Sequence, residues 1–311
     1  MVTCKACGQS NDDDMPFCLY CGATLKATES DLLGGRFRLG ALIGEGGMSK
    51  VYLADDEKSG QKVAVKLLKS ERAGSETGLS RFLLEIKALS EVHHPALIEV
   101  LAVGNSPRPY YVMPYIEGPT LAEELAKNGA LPPKTASTIM LTLLAAVGTL
   151  HKARLIHRDI KAENVILAAK DQPILLDLGA IKELDAASSR TAYGMIIGTP
   201  IALAPEQILG QKLTERTDIY QLGILFSEML LGRTPFEAEN TAGFMAAHLE
   251  KSLTLSPAER QISPELMKVA LKAMAKNPAE RFKSTGEMSL AIHEANGEKI
   301  SFFSKLFAKN R

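Results

Sequence analysis

One eight-residue string, His157-Arg158-Asp159-Ile160-Lys161-Ala162-Glu163-Asn164, constrains this chain more than anything else in its 311 residues, because Asp177-Leu178-Gly179 answers it thirteen positions after Asn164. Two carboxylates, a carboxamide and a lysine at these separations have to be brought to one place by short loops hung on packed elements. The set suits a reaction in which the protein positions an acceptor, holds a divalent metal and neutralises moving charge, as phosphoryl transfer requires. It does not suit a covalent triad.

The segments around this string have matching patterns. Leu42 to Ala54 reads as two alternating strands around a turn containing Gly44, Gly46 and Gly47, and Lys62-Val63-Ala64-Val65-Lys66 is a further strand with Ala64 and Lys66 on one face. Leu79, Phe82, Leu83, Ile86 and Leu89 recur at helical spacing, with Glu85 at the edge of the stripe. The stretch from Thr135 to His151 carries the broad apolar face of a buried helix, and the helix opening at Asp218 is apolar nearly all round. Taken singly, a glycine hairpin is an ordinary turn, Lys66 a surface lysine and Glu85 a solvated glutamate.

In this order, from about Gly35 to Glu294, the motifs resemble the eukaryotic-like Ser/Thr protein kinases found in bacteria. The resemblance implies an α+β, bilobal protein-kinase fold over residues 35–294, with a small β-rich lobe over 35–116 and a large helical lobe over 117–294. It also implies ATP and Mg²⁺ as cofactors and protein Ser/Thr side chains as acceptors. Gly44 and Gly46 would lie against the phosphates and Lys66, paired with Glu85, would hold them. Ile43, Val51 and Ala64 would line the adenine pocket, Ile166 its floor, Met113 the gatekeeper position, and Pro114 and Ile116 the hinge that bonds the base. Asp159 would accept or orient the acceptor proton, Lys161 would neutralise the γ-phosphate, and Asn164 and Asp177 would be the Mg²⁺ ligands. Thr199 is placed to bond Asp159 and Lys161, Asp218 to accept from the catalytic-loop backbone, and Glu206 to pair with Arg281.

The chain departs from the family at several points. Ser49 stands for the third glycine, Ala162 for a proline and Leu178 for a phenylalanine, and none of these removes a charge that catalysis needs. Ala202 stands for the usual tyrosine and alters the pocket beside the acceptor residue. The loop between Asp177 and Ala204-Pro205-Glu206 carries Ser188, Ser189 and Thr191. Thr191 is the leading expected autophosphorylation site, with Arg158 and Lys182 as cations for its phosphate.

All four cysteines lie in the first 21 residues, as Cys4-x2-Cys7 and Cys18-x2-Cys21, each pair followed by glycine. The spacing lets two thiolates of each turn face one tetrahedral ion, so residues 1–25 read as a zinc ribbon closed by four protein ligands, with Zn²⁺ supplying on the order of 10 kcal/mol to its folding. Two disulfides or a redox dithiol are the other uses of such cysteines. Residues 26–34 read as a linker. A protein partner is the expected use of the ribbon.

Equal numbers of basic and acidic residues, 36 of each, give no global field for nucleic acid. The apolar runs Ile139 to Leu150 and Leu222 to Leu231 fall short of the roughly 18 to 20 residues of a membrane span. The start lacks the apolar core of a signal peptide, and the cytoplasm is the expected location. The tail, residues 295–311, clusters Phe302, Phe303, Leu306 and Phe307 between lysines and is expected to dock on the kinase domain in preference to a membrane surface. An ATP-binding pseudokinase scaffold is the alternative function, but Lys66, Asp159 and Asp177 are all present. A small-molecule phosphotransferase would lack the Ala204-Pro205-Glu206 and Asp218 segments.

Overall fold

The computed structural model describes residues 1–11, 15, 18, 20, 25, 32–69, 76–177, 182–183 and 202–298. The chain forms two compact units, Met1–Glu91 with Ile98–Ile116, and Val92–Leu97 with Glu117–Arg311. The class is α+β: the first unit is built on a sheet and the second on helices.

In the first unit, β1 (Val2–Thr3) and β2 (Ser10–Asn11) form a short antiparallel pair among the cysteine turns. They are followed by β3 (Phe37–Glu45), β4 (Ser49–Asp56), β5 (Gln61–Leu68), β6 (Ala102–Gly104) and β7 (Tyr110–Pro114), an antiparallel sheet of order β3-β4-β5-β7-β6. The central strand β5 is buried on both faces from Val63 to Leu68. Its alternate residues Val63, Val65 and Leu67 join Phe37, Leu39, Tyr52, Ala54 and Val112 in an apolar cluster. Alternation turns Ala64 and Lys66 the other way, towards helix α1 (Glu76–Glu91), whose Phe82 ring lies 5.6 Å from that of Tyr111.

Among the described residues of α1, Gly78, Phe82, Glu85, Ala88 and Leu89 are buried, while Leu83 is 51% exposed. The helix is therefore turned from the face that its apolar stripe alone suggests, and Glu85 is fully buried instead of lying at an edge. A carboxylate in that position stays only because a lysine meets it there.

The second unit comprises α2 (Leu121–Asn128), α3 (Pro133–Lys152), α4 (Pro205–Ile208), α5 (Glu215–Leu231), α6 (Thr241–Glu250), α7 (Pro264–Ala273) and α8 (Thr285–Ala295). Short pairs β8 (Leu155–Ile156) with β11 (Lys182–Glu183), and β9 (Val165–Ala168) with β10 (Gln172–Leu175), flank its loops. Helix α3 is 20 residues long and apolar enough to cross a bilayer by length and composition. Within the unit, however, Ala136, Ile139, Met140, Leu143, Leu144, Val147 and Leu150 bury its apolar face.

Helix α5 is the axis of this unit, with every residue from Thr217 to Leu230 buried. It packs on α7 at Gly223, where a Cβ would meet Ala273 Cβ at 2.7 Å and Met274 Cγ at 3.0 Å. Glycine inside a helix costs about 1 kcal/mol relative to alanine, and close approach of α7 is the reason it stands here. Gly223→Val is expected to lower unfolding stability by about 1–3 kcal/mol through overpacking. The check is a lowered denaturant midpoint with unchanged slope; an unchanged midpoint would show that α7 can move aside.

Candidate active site

The first unit supplies a glycine hairpin and a buried ion pair. Gly44 faces Val51 and Glu45 faces Lys50 in the β3–β4 register, and the turn is closed by the Gly46 N–H donating to Ser49 O at 2.9 Å. None of Gly44, Gly46 and Gly47 has a positive φ, and a Cβ on any of them would meet nothing nearer than 3.6 Å. The fold itself therefore makes no demand for glycine at these three positions. Lys66 Nζ lies 2.7 Å from Glu85 Oε1, with 7% and 0% of the two side chains exposed. Tyr111, opposite Lys66 in the β5–β7 register, donates its hydroxyl to the same Glu85 oxygen at 2.9 Å. Ala64 faces Met113 and Val63 faces Pro114, which sets these side by side with the half-buried Ile116 at the end of the unit. Ile43 is 45% exposed and Val51 half-buried.

The second unit supplies the polar loops. Lys161 Nζ is 3.1 Å from Asp159 Oδ2, and Asn164 Nδ2 donates to both Asp159 O at 2.8 Å and Asp159 Oδ2 at 3.1 Å. The Leu176 N–H donates to Asn164 O at 2.8 Å, which ties the next residue, Asp177, to the same loop. Asp177 is exposed and has φ 51°, and Arg158 has φ 69°, a region that few residues other than glycine adopt. Ile166 is half-buried in β9.

Asp218 explains how such a loop is held. Its carboxylate is fully buried in α5 and accepts from His157 N–H at 3.0 Å, from Arg158 N–H at 2.8 Å and from His151 Nε2 at 2.8 Å. Burial alone would lift its pKa, but the His151 hydrogen bond and charge, with the Arg158 N–H, more than offset this and hold it below the usual carboxylate range. Burial lowers the pKa of His157 in turn, although the Asp218, Asp159 and Asp177 carboxylates pull the other way. The neutral imidazole then accepts the Asp159 N–H on Nδ1 at 3.3 Å.

Gln221 is a functional residue that the motif spacing does not single out. It accepts the Ile160 N–H at 3.0 Å and donates to Arg158 O at 2.9 Å and to Ala202 O at 3.1 Å, while Gln207 Nε2 donates to Arg158 O at 3.0 Å. A glutamine amid an otherwise apolar helix, three residues after Asp218, was the available signal. His151, at the end of a helix, and Tyr111, within a strand, likewise carry no local pattern that announces their bonds to Asp218 and Glu85.

Glu206 and Arg281 meet in a bidentate pair, 2.8 and 2.9 Å, with Thr217 Oγ1 donating to Glu206 at 2.9 Å. Arg281 spends its remaining donors on Ala275 O, Arg216 O and Lys276 O, so all five guanidinium N–H groups are satisfied. Lys182 lies in β11. Cys21, Ser188, Ser189, Thr191 and Thr199 lie outside the described residues.

Near the amino terminus, Cys4, Cys7 and Cys18 hold their sulfurs within 4.8 Å of one another, with no disulfide among them. Cys7 Sγ and Cys18 Sγ are 3.5 Å apart, and Cys18 Sγ accepts from Asn11 Nδ2 and from the Tyr20 N–H, each at 3.4 Å. Sulfurs around a tetrahedral Zn²⁺ at about 2.3 Å would be about 3.8 Å apart, and N–H donors suit thiolates, so the three residues fit such an ion.

Residues 37–292 match the family model of the protein kinase domain. A Streptomyces coelicolor protein named as a serine/threonine-protein kinase is 35% identical over 267 residues, 84% of this chain and 40% of its own length. PknB of Mycolicibacterium smegmatis is 34% identical over 84% of this chain and 44% of its own length. PknL of Mycobacterium tuberculosis is 34% identical over 88% of this chain and 68% of its own length. The chain thus spans about two fifths of the first two relatives.

One buried acid has a pH consequence. Burial, helped by the charge of Glu163 in the turn Ala162–Asn164, pushes Glu228 of α5 up to about 8. With a folded pKa above the unfolded one, the chain gives up stability as pH rises from the ordinary glutamate range towards about 8. Wild-type protein is expected to be less stable at pH 8 than at pH 5, with a contribution from this group on the order of 3–5 kcal/mol, and Glu228→Gln to remove most of that difference. Chemical denaturation at the two pH values measures it; equal losses in both proteins would place Glu228 in water.

Proposed function

The chain belongs to the protein kinase domain family, and from that membership we propose that it transfers the γ-phosphate of Mg-ATP to Ser and Thr hydroxyls of other proteins and of itself. The observation that carries this reading is the cluster of Asp159, Lys161 and Asn164, drawn within 2.8 to 3.1 Å on a loop whose backbone Asp218 and Gln221 hold. Preorganisation of this kind is what phosphoryl transfer asks of a protein.

In this reading Asp159 accepts the proton of the acceptor hydroxyl as its oxygen bonds to the γ-phosphorus and the bond to the β-phosphate oxygen breaks, leaving ADP. Lys161 neutralises the phosphoryl group in transit, and Lys66, kept extended by Glu85, holds the α- and β-phosphates. Asn164 and Asp177 are the residues that would hold Mg²⁺, which supplies charge neutralisation on the phosphate oxygens when bound. The glycines of the hairpin, which the backbone does not itself require, leave room for phosphates to approach it closely. Ile43, Val51, Ala64, Met113, Pro114, Ile116 and Ile166 are the adenine contacts in this reading.

Thr191, with Ser188 and Ser189 behind it, is the proposed autophosphorylation site. Arg158 suits the resulting phosphate because its backbone is fixed on both sides, the N–H by Asp218 and the carbonyl by Gln207 and Gln221. Cys4, Cys7, Cys18 and Cys21 are proposed to hold Zn²⁺ with no position left for chemistry, a state that belongs to a reducing compartment such as the cytoplasm. A protein partner at this module is part of the same proposal.

Purified chain incubated with labelled Mg-ATP and a generic basic protein is expected to yield phospho-Ser or phospho-Thr on both. Asp177→Asn should abolish transfer, whereas Asp159→Asn should lower kcat by about 10²- to 10⁴-fold with little change in nucleotide affinity. An Asp159→Asn protein of full activity would break the assignment. Phosphopeptide mapping is expected to find Thr191 modified in active protein, and an unmodified loop in a fully active sample would remove the proposed switch.

A further inference from the structure

The cysteine turns do not stand apart from the sheet that follows them in sequence. Met15, fully buried, belongs to the apolar cluster formed by Phe37, Tyr52, Val63, Val65 and Val112, and Leu25 packs against it. Arg108, 5% exposed, donates Nη2 to Met15 Sδ at 2.9 Å. These contacts dock the turns on the face of the sheet opposite Lys66.

From this docked base one side chain reaches the glycine hairpin. The Tyr20 N–H is bonded to Cys18 Sγ, and the Tyr20 ring centroid lies 4.3 Å from Lys50 Nζ. Lys50 is the β4 residue opposite Glu45, and its Nζ is also 3.9 Å from Glu45 Oε1. Glu45 sits between Gly44 and Gly46 in the turn itself and takes a second cation, Lys69 Nζ, at 2.7 Å. Tyr20, Lys50 and Glu45 thus run in a chain of contacts from a cysteine sulfur to the glycine turn.

We propose that Tyr20 is a positioning residue for the glycine-rich hairpin, so that metal in the cysteine site tightens the binding of Mg-ATP. The inference rests on the kinase and metal readings given above and adds a coupling between them. A glycine-rich turn has more backbone freedom to lose on closing over a ligand than any other sequence. A cation held between an aromatic face and the turn's own carboxylate removes part of that freedom beforehand, which lowers what binding must supply. The side chains that carry out the chemistry lie elsewhere. The effect therefore falls on nucleotide affinity and leaves the rate of the bound complex alone.

The test uses the full chain with its metal content measured by a chromogenic chelator after thiol release. Mg-ATP affinity is measured by direct titration, and kcat and KM by phosphate transfer. Tyr20→Ala is expected to keep its metal and its kcat while the Kd and KM for Mg-ATP rise about two- to fivefold, the size of one cation–π contact, and Tyr20→Phe to restore both. Stripping the metal from wild-type protein should raise Kd by at least as much and add little in Tyr20→Ala. Unchanged Kd in a metal-loaded Tyr20→Ala protein would overturn the proposal, as would loss of metal in that variant or failure of Tyr20→Phe to rescue. Wild-type protein that binds no Mg-ATP would sink the kinase reading instead. Wild-type protein purified with no metal would sink the metal reading and with it the coupling, while the Tyr20 variants would still decide the role of the ring.

Discussion

A carboxylate buried in the first turn of an apolar helix has to be fully bonded, and Asp218 meets that requirement at the expense of its neighbours' freedom. An unpaired charge at such a depth would cost the unit about 3–5 kcal/mol. Its partners are the backbone N–H groups of His157 and Arg158 and one imidazole, so satisfying Asp218 and shaping the loop are the same event. Arg158 is held at a positive φ by this arrangement, with Gln207 and Gln221 closing on its carbonyl. Asp159, one residue further on, takes its place from a helix that grips the backbone of Arg158 before it. The helical axis of the second unit thereby fixes the position of the Asp159 carboxylate.

The sheet-based unit solves a parallel problem with different means. Glu85 is fully buried and would be costly there without Lys66 and Tyr111 on the same oxygen. Because Lys66 lies on the central strand and Glu85 on a helix, the pair makes the placement of α1 an electrostatic matter as well as a packing one. Phe82 against Tyr111 supplies the apolar half of that contact. Burial of a paired charge in this way adds little net stability but makes the geometry hard to vary.

Much of this was legible in the sequence because it was written in residue types whose chemistry leaves few uses. A lysine on an apolar strand, an aspartate opening an apolar helix and a loop of charged residues at fixed spacing each point to a bonded, buried or positioned group. The orientation of α1 was less legible. Leu83 and Ile86 fit the helical stripe as well as Phe82 and Leu89 do, and the pull of Lys66 on Glu85, with the contact of Phe82 on Tyr111, decides which face turns inward. Gln221 and Tyr111 were opaque for another reason: uncharged polar residues in a helix or strand look alike whether they bond water or a backbone. Met15 lies among the cysteine turns, and nothing in the residues beside it points to the sheet from Phe37 onward that covers it.

Arg281 bears on the order in which the protein can be made. Its carboxylate partner, Glu206, lies 75 residues earlier, and its five donors close on groups from three separate segments. During synthesis Glu206 and Thr217 emerge well before the arginine does. Until then the helix that becomes the axis of the unit carries an acid in its immediate surroundings that must stay hydrated. The core of the second unit is thus prevented from sealing on a partial chain, and its completion waits for nearly the last helix, an arrangement in which local segments form early and the long-range closure comes last.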